Sequence, residues 1–97
     1  MDALDFDLLH LLSRPSRASQ ILISLAAALR NEDPLAPLTL NTLNRKLHYA
    51  VETLAAWFPA EVVEEAQTQA SRALPSIHPG ETPDAYALRI LTIARGL

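Results

Sequence analysis

A chain of 97 residues, 49% of them hydrophobic and with a net charge of −3, has material for one small core, and residues 1–97 are expected to form a single helical domain. The absence of cysteine excludes disulfide scaffolds, thiolate metal sites and thiol nucleophiles. The 8 basic residues are adjacent only at Arg45-Lys46, which argues against the clustered basic face that phosphate binding needs.

Every apolar pattern has a helical period, and no stretch alternates like a half-buried strand. The expected fold class is therefore all-α: a compact bundle of about five short-to-medium helices with proline-marked joints. A first helix is expected over residues 4–13, with Leu4, Leu8, Leu11 and Leu12 on one face and Phe6 pointing away from it. Asp2, Asp5 and Asp7 suit the positive end of the helix dipole. They also stand where a signal peptide would carry cations. The run Ile21 to Leu29 is too short to span a bilayer, so a cytoplasmic setting without membrane contact is expected.

Pro15 can open a second helix over residues 16–30, striped by Ala18, Leu22, Leu25 and Leu29 and widened by Ile21. Ile23 and Ala27 lie on its far side, and a helix apolar nearly all round belongs at the centre of its domain or under another chain. Pro34 and Pro37 make residues 31–37 a connector, with Leu35 and Leu38 as anchors to the core.

Thr39 or Asn41 can cap the third helix. Leu40, Leu43, Leu47, Val51, Leu54 and Phe58 then recur at threes and fours, and Leu47 and Leu54 are expected to be buried. Pro59 ends this helix and opens the fourth, which carries Glu61 in its first turn and Val62, Val63, Ala66, Ala70, Ala73 and Leu74 as its stripe.

The stretch SIHPGETPDAYALR, residues 76–89, gathers a histidine, two carboxylates, two prolines and Gly80. It reads as a helix joint. Pro79-Gly80 is a turn signature, Thr82 caps a fifth helix, Pro83 opens it and Asp84 meets its dipole. Tyr86, Ile90, Ile93, Ala94 and Leu97 form its inner side. His78 and Glu81 have no role that the pattern assigns.

No catalytic constellation emerges. Gly80 and Gly96 are the two glycines, which excludes Gly-rich phosphate loops, and no nucleophile elbow is present. His48 with Glu52, and Asp7 with His10, share helix faces, but each supplies two ligands at most and reads as an exposed polar pair. Glu61, Glu64 and Glu65 read as a solvated helix start. Neither an enzyme, a metal nor a cofactor is expected.

Binding residues are those that the helical wheel leaves outside. Tyr49 falls opposite the third stripe with Arg45 one turn before it, Lys46 and Thr53 flank them, and Trp57 sits at the stripe's edge. Tyr, Trp and Arg dominate binding hot spots. With Phe6 and Leu88, these residues make the candidate protein-binding set: Arg45, Lys46, Tyr49, Trp57, Phe6 and Leu88.

The function expected is a small acidic, non-enzymatic protein-binding module. It would act as inhibitor, adaptor or assembly factor on another protein or nucleoprotein complex. Phage-encoded inhibitors of host defence complexes, anti-CRISPR proteins among them, share this size class. A homodimer is compatible with the same surfaces. The alternative is a DNA-binding transcriptional regulator reading base edges from the helix around residues 39–58. Its connector is long for a helix-turn-helix and its charge is negative, so direct nucleic-acid contact is not expected. A third reading is a helical subunit whose catalytic residues sit on another chain.

Overall fold

Local capping chemistry sets where the helices of the computed structural model begin. It describes residues 16–97; the expected helix over residues 4–13, with Phe6 and the Asp7–His10 pair, and Pro15 lie outside the described residues. The other four expected helices are present: α1 (Arg17–Leu29), α2 (Leu40–Ala55), α3 (Ala60–Ala73) and α4 (Pro83–Ala94). No strand occurs among the described residues.

Ser16, Thr39 and Thr82 each stand in extended conformation before a helix and accept the backbone N–H three residues on, at 3.0, 3.1 and 3.2 Å. Those bonds satisfy donors that have no partner inside the helix. Thr39, not Asn41, caps α2. α3 has no side-chain cap; Pro59 precedes it, Glu61 occupies its first turn and Arg72 its last, both favourable to the dipole.

α1 is the central helix and touches the other three, α4 most extensively. Ala18, Ile21, Leu22, Leu25, Ala26 and Leu29 are all buried, as expected of a helix apolar nearly all round. The partner side chains are Leu43, Ala50, Val51 and Leu54 from α2, Val63, Ala66 and Ala70 from α3, and Tyr86, Ala87, Ile90 and Ala94 from α4. The alanines of α1, α3 and α4 leave little side chain between backbones, which lets three helices surround one. Ser19 is buried near the start of α1, and its hydroxyl donates to the Ala94 carbonyl at 3.0 Å. That bond ties the N-terminal end of α1 to the C-terminal end of α4 and answers a carbonyl at the close of that helix.

Several stripes are narrower than the sequence pattern implies. Leu40, Val62 and Leu97 are exposed, and Leu47 is half-buried. Leu40 is the first residue of α2, Val62 lies one position off the Val63, Ala66 and Ala70 face of α3, and Leu97 lies beyond the end of α4. α2 also stops at Ala55, so Trp57 and Phe58 belong to the turn that follows, where the Trp57 N–H bonds the Leu54 carbonyl at 3.0 Å. Leu35 does not anchor the connector; it is 89% exposed. Asp33 shapes that loop by accepting the Leu35 N–H at 2.9 Å. Leu38 does anchor it: its side chain is buried and its N–H donates to the Glu81 carbonyl at 2.7 Å.

Candidate functional site

α1 and α2 run antiparallel. Gln20 and Ile21 lie beside Leu54, Trp57 and Phe58 at one end, and Ala28 and Asn31 lie beside Arg45 and Lys46 at the other. Between them is an open groove of about 820 Å³, lined by Ser24, Ala27, Ala28 and Asn31 from the α1 side and by Arg45, Lys46, Tyr49 and Thr53 from α2. Ser24 and Thr53 continue it into a second depression of about 300 Å³ that ends at Trp57 and Phe58.

The groove arises from helical spacing. Arg45, Tyr49 and Thr53 are four apart and share one face of α2, while Leu43, Ala50 and Leu54 carry the core face. Ile23 and Ala27 bear the same relation on α1. The two outer faces therefore look out on the same side of the domain. Three large side chains stand in solvent along this line: Ile23 at 44% exposure, Tyr49 at 65% and Trp57 at 80%. The Arg17 guanidinium covers the Phe58 ring at 4.0 Å from its centroid, which fixes the far end.

Four of the candidate binding residues, Arg45, Lys46, Tyr49 and Trp57, thus line one continuous groove. Leu88 does not. It is exposed on α4 and borders a separate hollow with Arg30 and Asp84. Phe6 lies outside the described residues. The sequence pattern gave Ile23 a place on the far side of α1 but no partner, because only the pairing of α1 with α2 brings it beside Thr53 and Trp57.

Glu32 is the group that the sequence pattern missed. Its carboxylate lies 3.1 Å from both the Arg45 guanidinium and the Lys46 ammonium. The connector folds back to place it there, a contact across thirteen positions that no helical spacing signals. The pair Arg45-Lys46 is therefore compensated at one end, and the local excess is a single positive charge. Arg45 stays mostly solvated, whereas Lys46 is largely covered.

The stretch over residues 76–89 has a different character. Gly80 takes φ +73, a backbone angle that side-chain-bearing residues rarely adopt, and the Glu81 N–H closes the turn on the His78 carbonyl at 3.0 Å. The Glu81 side chain is only 5% exposed. Its Oε1 accepts the His78 N–H at 2.9 Å and the Arg89 guanidinium at 2.7 Å. Burial alone would raise the Glu81 pKa, but the His78 N–H and the Arg89 charge outweigh it, and the carboxyl titrates below its usual value. Arg89 also donates to the Ser76 carbonyl at 3.1 Å. The fully buried Tyr86 donates its hydroxyl to the Pro75 carbonyl at 2.8 Å, and burial raises its pKa. Glu81, which the sequence pattern left without a role, is the centre of this joint. Its carboxylate is answered by the His78 N–H and the Arg89 guanidinium.

The His48 imidazole meets Glu52 at 3.0 Å as an exposed pair on α2. Among the described residues, no three His, Asp or Glu side chains converge as a metal site would require, and no helix is long and apolar enough to cross a membrane. Comparison with known proteins adds no relative: no family model matches the chain, and neither curated proteins nor solved structures yield a match.

Proposed function

We propose that the chain is a non-enzymatic protein-binding module of the cytoplasm. It acts as inhibitor, adaptor or assembly factor by seating part of a larger protein or nucleoprotein complex in the α1–α2 groove. The observation that carries this reading is the alignment of Ile23, Tyr49 and Trp57, three large and largely exposed side chains along one concave line. Exposed aromatic residues beside a solvated arginine have the composition of a binding hot spot. Tyr49 and Trp57 supply apolar area at small entropic cost, and Arg45 supplies direction.

The reading as a DNA-binding regulator has less support. Glu32 occupies the two cations that a recognition helix would direct at phosphate, and a carboxylate at that position repels the backbone. The connector between α1 and α2 is also too long for the tight turn of that motif.

The test is capture from a lysate of the native host, with the parent chain and Tyr49→Ala as parallel baits and mass spectrometry as readout. The expected result is a partner held by the parent and lost with Tyr49→Ala, while Leu88→Ala, outside the groove, retains it. A partner retained by Tyr49→Ala and Trp57→Ala alike would place the binding face elsewhere.

A further inference from the structure

The outer α1–α2 face carries both a projection and a hollow that suits it. We propose that two copies of the chain pair face to face through this surface about a two-fold axis, each seating its Trp57 in the groove of the other beside Tyr49 and Arg45.

Shape is the first argument. Trp57 is 80% exposed, yet the turn that bears it is held on both sides. Its N–H bonds the Leu54 carbonyl at 3.0 Å, and Arg17 covers the neighbouring Phe58 ring at 4.0 Å from its centroid. The indole therefore stands on a fixed base and loses little freedom on insertion. The hollow is the groove of about 820 Å³, whose α1 wall presents the small side chains of Ser24, Ala27 and Ala28. Its α2 wall presents Tyr49, 65% exposed, and the solvated Arg45. An aromatic ring and a guanidinium are groups that stack on an indole.

Position is the second. Thr53 lies four positions after Tyr49 and four before Trp57, and Ser24 and Thr53 line both depressions. A two-fold axis in the plane of the face, crossing the helices at Thr53, sets α2 antiparallel to its copy. It brings Trp57 of each copy to Tyr49 of the other, a span of about 12 Å along the helix at a rise of ~1.5 Å per residue. Ile23, 44% exposed and next to Ser24, then meets its own counterpart near the axis. One rotation fills both hollows, so the contact is self-complementary and closed.

Charge is the third. The Arg45 end of the groove keeps one positive charge over Glu32. Beyond Trp57 the chain enters α3, where the exposed Glu61, Glu64 and Glu65 outnumber Arg17, the cation beside Glu65. The antiparallel arrangement sets each basic end against the acidic end of the other copy. An axis along the helices would set like against like. The two aromatic side chains offer roughly 150–250 Å² each, most of it exposed, which places the contact at the low end of specific interfaces. Its Kd is accordingly expected in the micromolar range, with dissociation on dilution.

This pairing goes beyond the protein-binding reading and does not rest on it. A partner that takes the same groove competes with the second copy.

Sedimentation equilibrium of the full chain from micromolar to millimolar concentration should show a reversible monomer–dimer equilibrium. The emission of Trp57, the single tryptophan, should move to shorter wavelength with the same midpoint. Trp57→Ala removes the projection and Ala27→Arg fills the hollow; both positions are exposed, so both variants should fold, which their amide spectra verify. Each variant alone should dimerise at least about tenfold more weakly than the parent. Mixed together they should associate more tightly than either does alone, because Trp57 of the Ala27→Arg chain meets an open hollow on the Trp57→Ala chain. Leu88→Ala, outside the groove, should pair like the parent. A chain that stays monomeric to millimolar concentration, a dimer in which the Trp57 emission does not move, a dimer that survives both substitutions, or a mixture no tighter than its components would overturn the proposal. Partner capture with the parent and Tyr49→Ala as baits reports on the protein-binding reading, and the isolated chain reports on the pairing, so the two can fail separately.

Discussion

Glu81 shows how much one side chain carries in this fold. Its carboxylate holds the His78 N–H and Arg89, and its carbonyl holds Leu38 from the connector, so one residue joins the turn, α4 and the segment before α2. Glu81→Gln should destabilise the domain by about 1–2 kcal/mol, since a charge-assisted bond is lost while the half-buried Arg89 regains some water. Thermal or urea unfolding reads this directly. The pH dependence follows from the lowered pKa. The stabilisation is complete above the usual carboxyl value of 4.5 and disappears as pH falls through the lower folded value. The parent should therefore lose stability more steeply than Glu81→Gln does as pH falls below 4.5. The raised pKa of Tyr86 acts at the other extreme: its contribution is complete below the ordinary value of 10.0 and is lost as pH rises through the higher folded value. Thr82→Ala should cost on the order of 1 kcal/mol through loss of the bond to the Ala85 N–H. His78→Ala should be neutral for stability and for binding, because the bonds of His78 in this joint are made by its backbone.

At the scale of the element, helix placement was legible from sequence because capping residues and prolines act locally. Thr39 and Thr82 announce their helices, and Pro37, Pro59 and Pro83 bracket them without reference to the rest of the fold, whereas the pattern counted Ser16 inside the helix that it in fact caps. Burial along a stripe was less legible, because periodicity gives a face but not the length over which a neighbour covers it. Leu43 and Leu54 are buried, whereas Leu47 between them is half-buried and Leu40 is exposed. Leu54→Ala should therefore cost about 2–5 kcal/mol, the range for a filled core position, and Leu47→Ala distinctly less. Leu40→Ala should fall within about 0.5 kcal/mol of the parent, as surface substitutions do. Equal losses at Leu47 and Leu54 in denaturant titrations would mean that the α2 face is rotated from the one described.

Across the whole molecule, the candidate site needed the tertiary pairing that sequence does not supply. Tyr49 and Arg45 were recognisable as outward-facing residues of one helix and Trp57 as the edge of its stripe, but the groove exists because Ile23 and Ala27 of α1 form its other wall. Glu32, whose position depends on the path of the connector, changes what the basic pair can do. The central place of α1 was readable from its apolar surround, and it accounts for how one small core supports an exposed groove on its flank. Whether the groove recognises protein or nucleic acid turns on which forces dominate there. Buried aromatic area is insensitive to salt, whereas phosphate contacts release counterions and weaken steeply with it. The decisive measurement is a titration of the captured partner, and separately of random duplex DNA, with the parent, Tyr49→Ala and Lys46→Ala at low and physiological salt. Tyr49→Ala should weaken partner binding at least about tenfold, or roughly 1.4 kcal/mol, with little change between the two salt concentrations and no duplex binding at physiological salt. Tight, salt-sensitive duplex binding abolished by Lys46→Ala, with Tyr49→Ala indistinguishable from the parent, would contradict the protein-binding assignment of the α1–α2 groove.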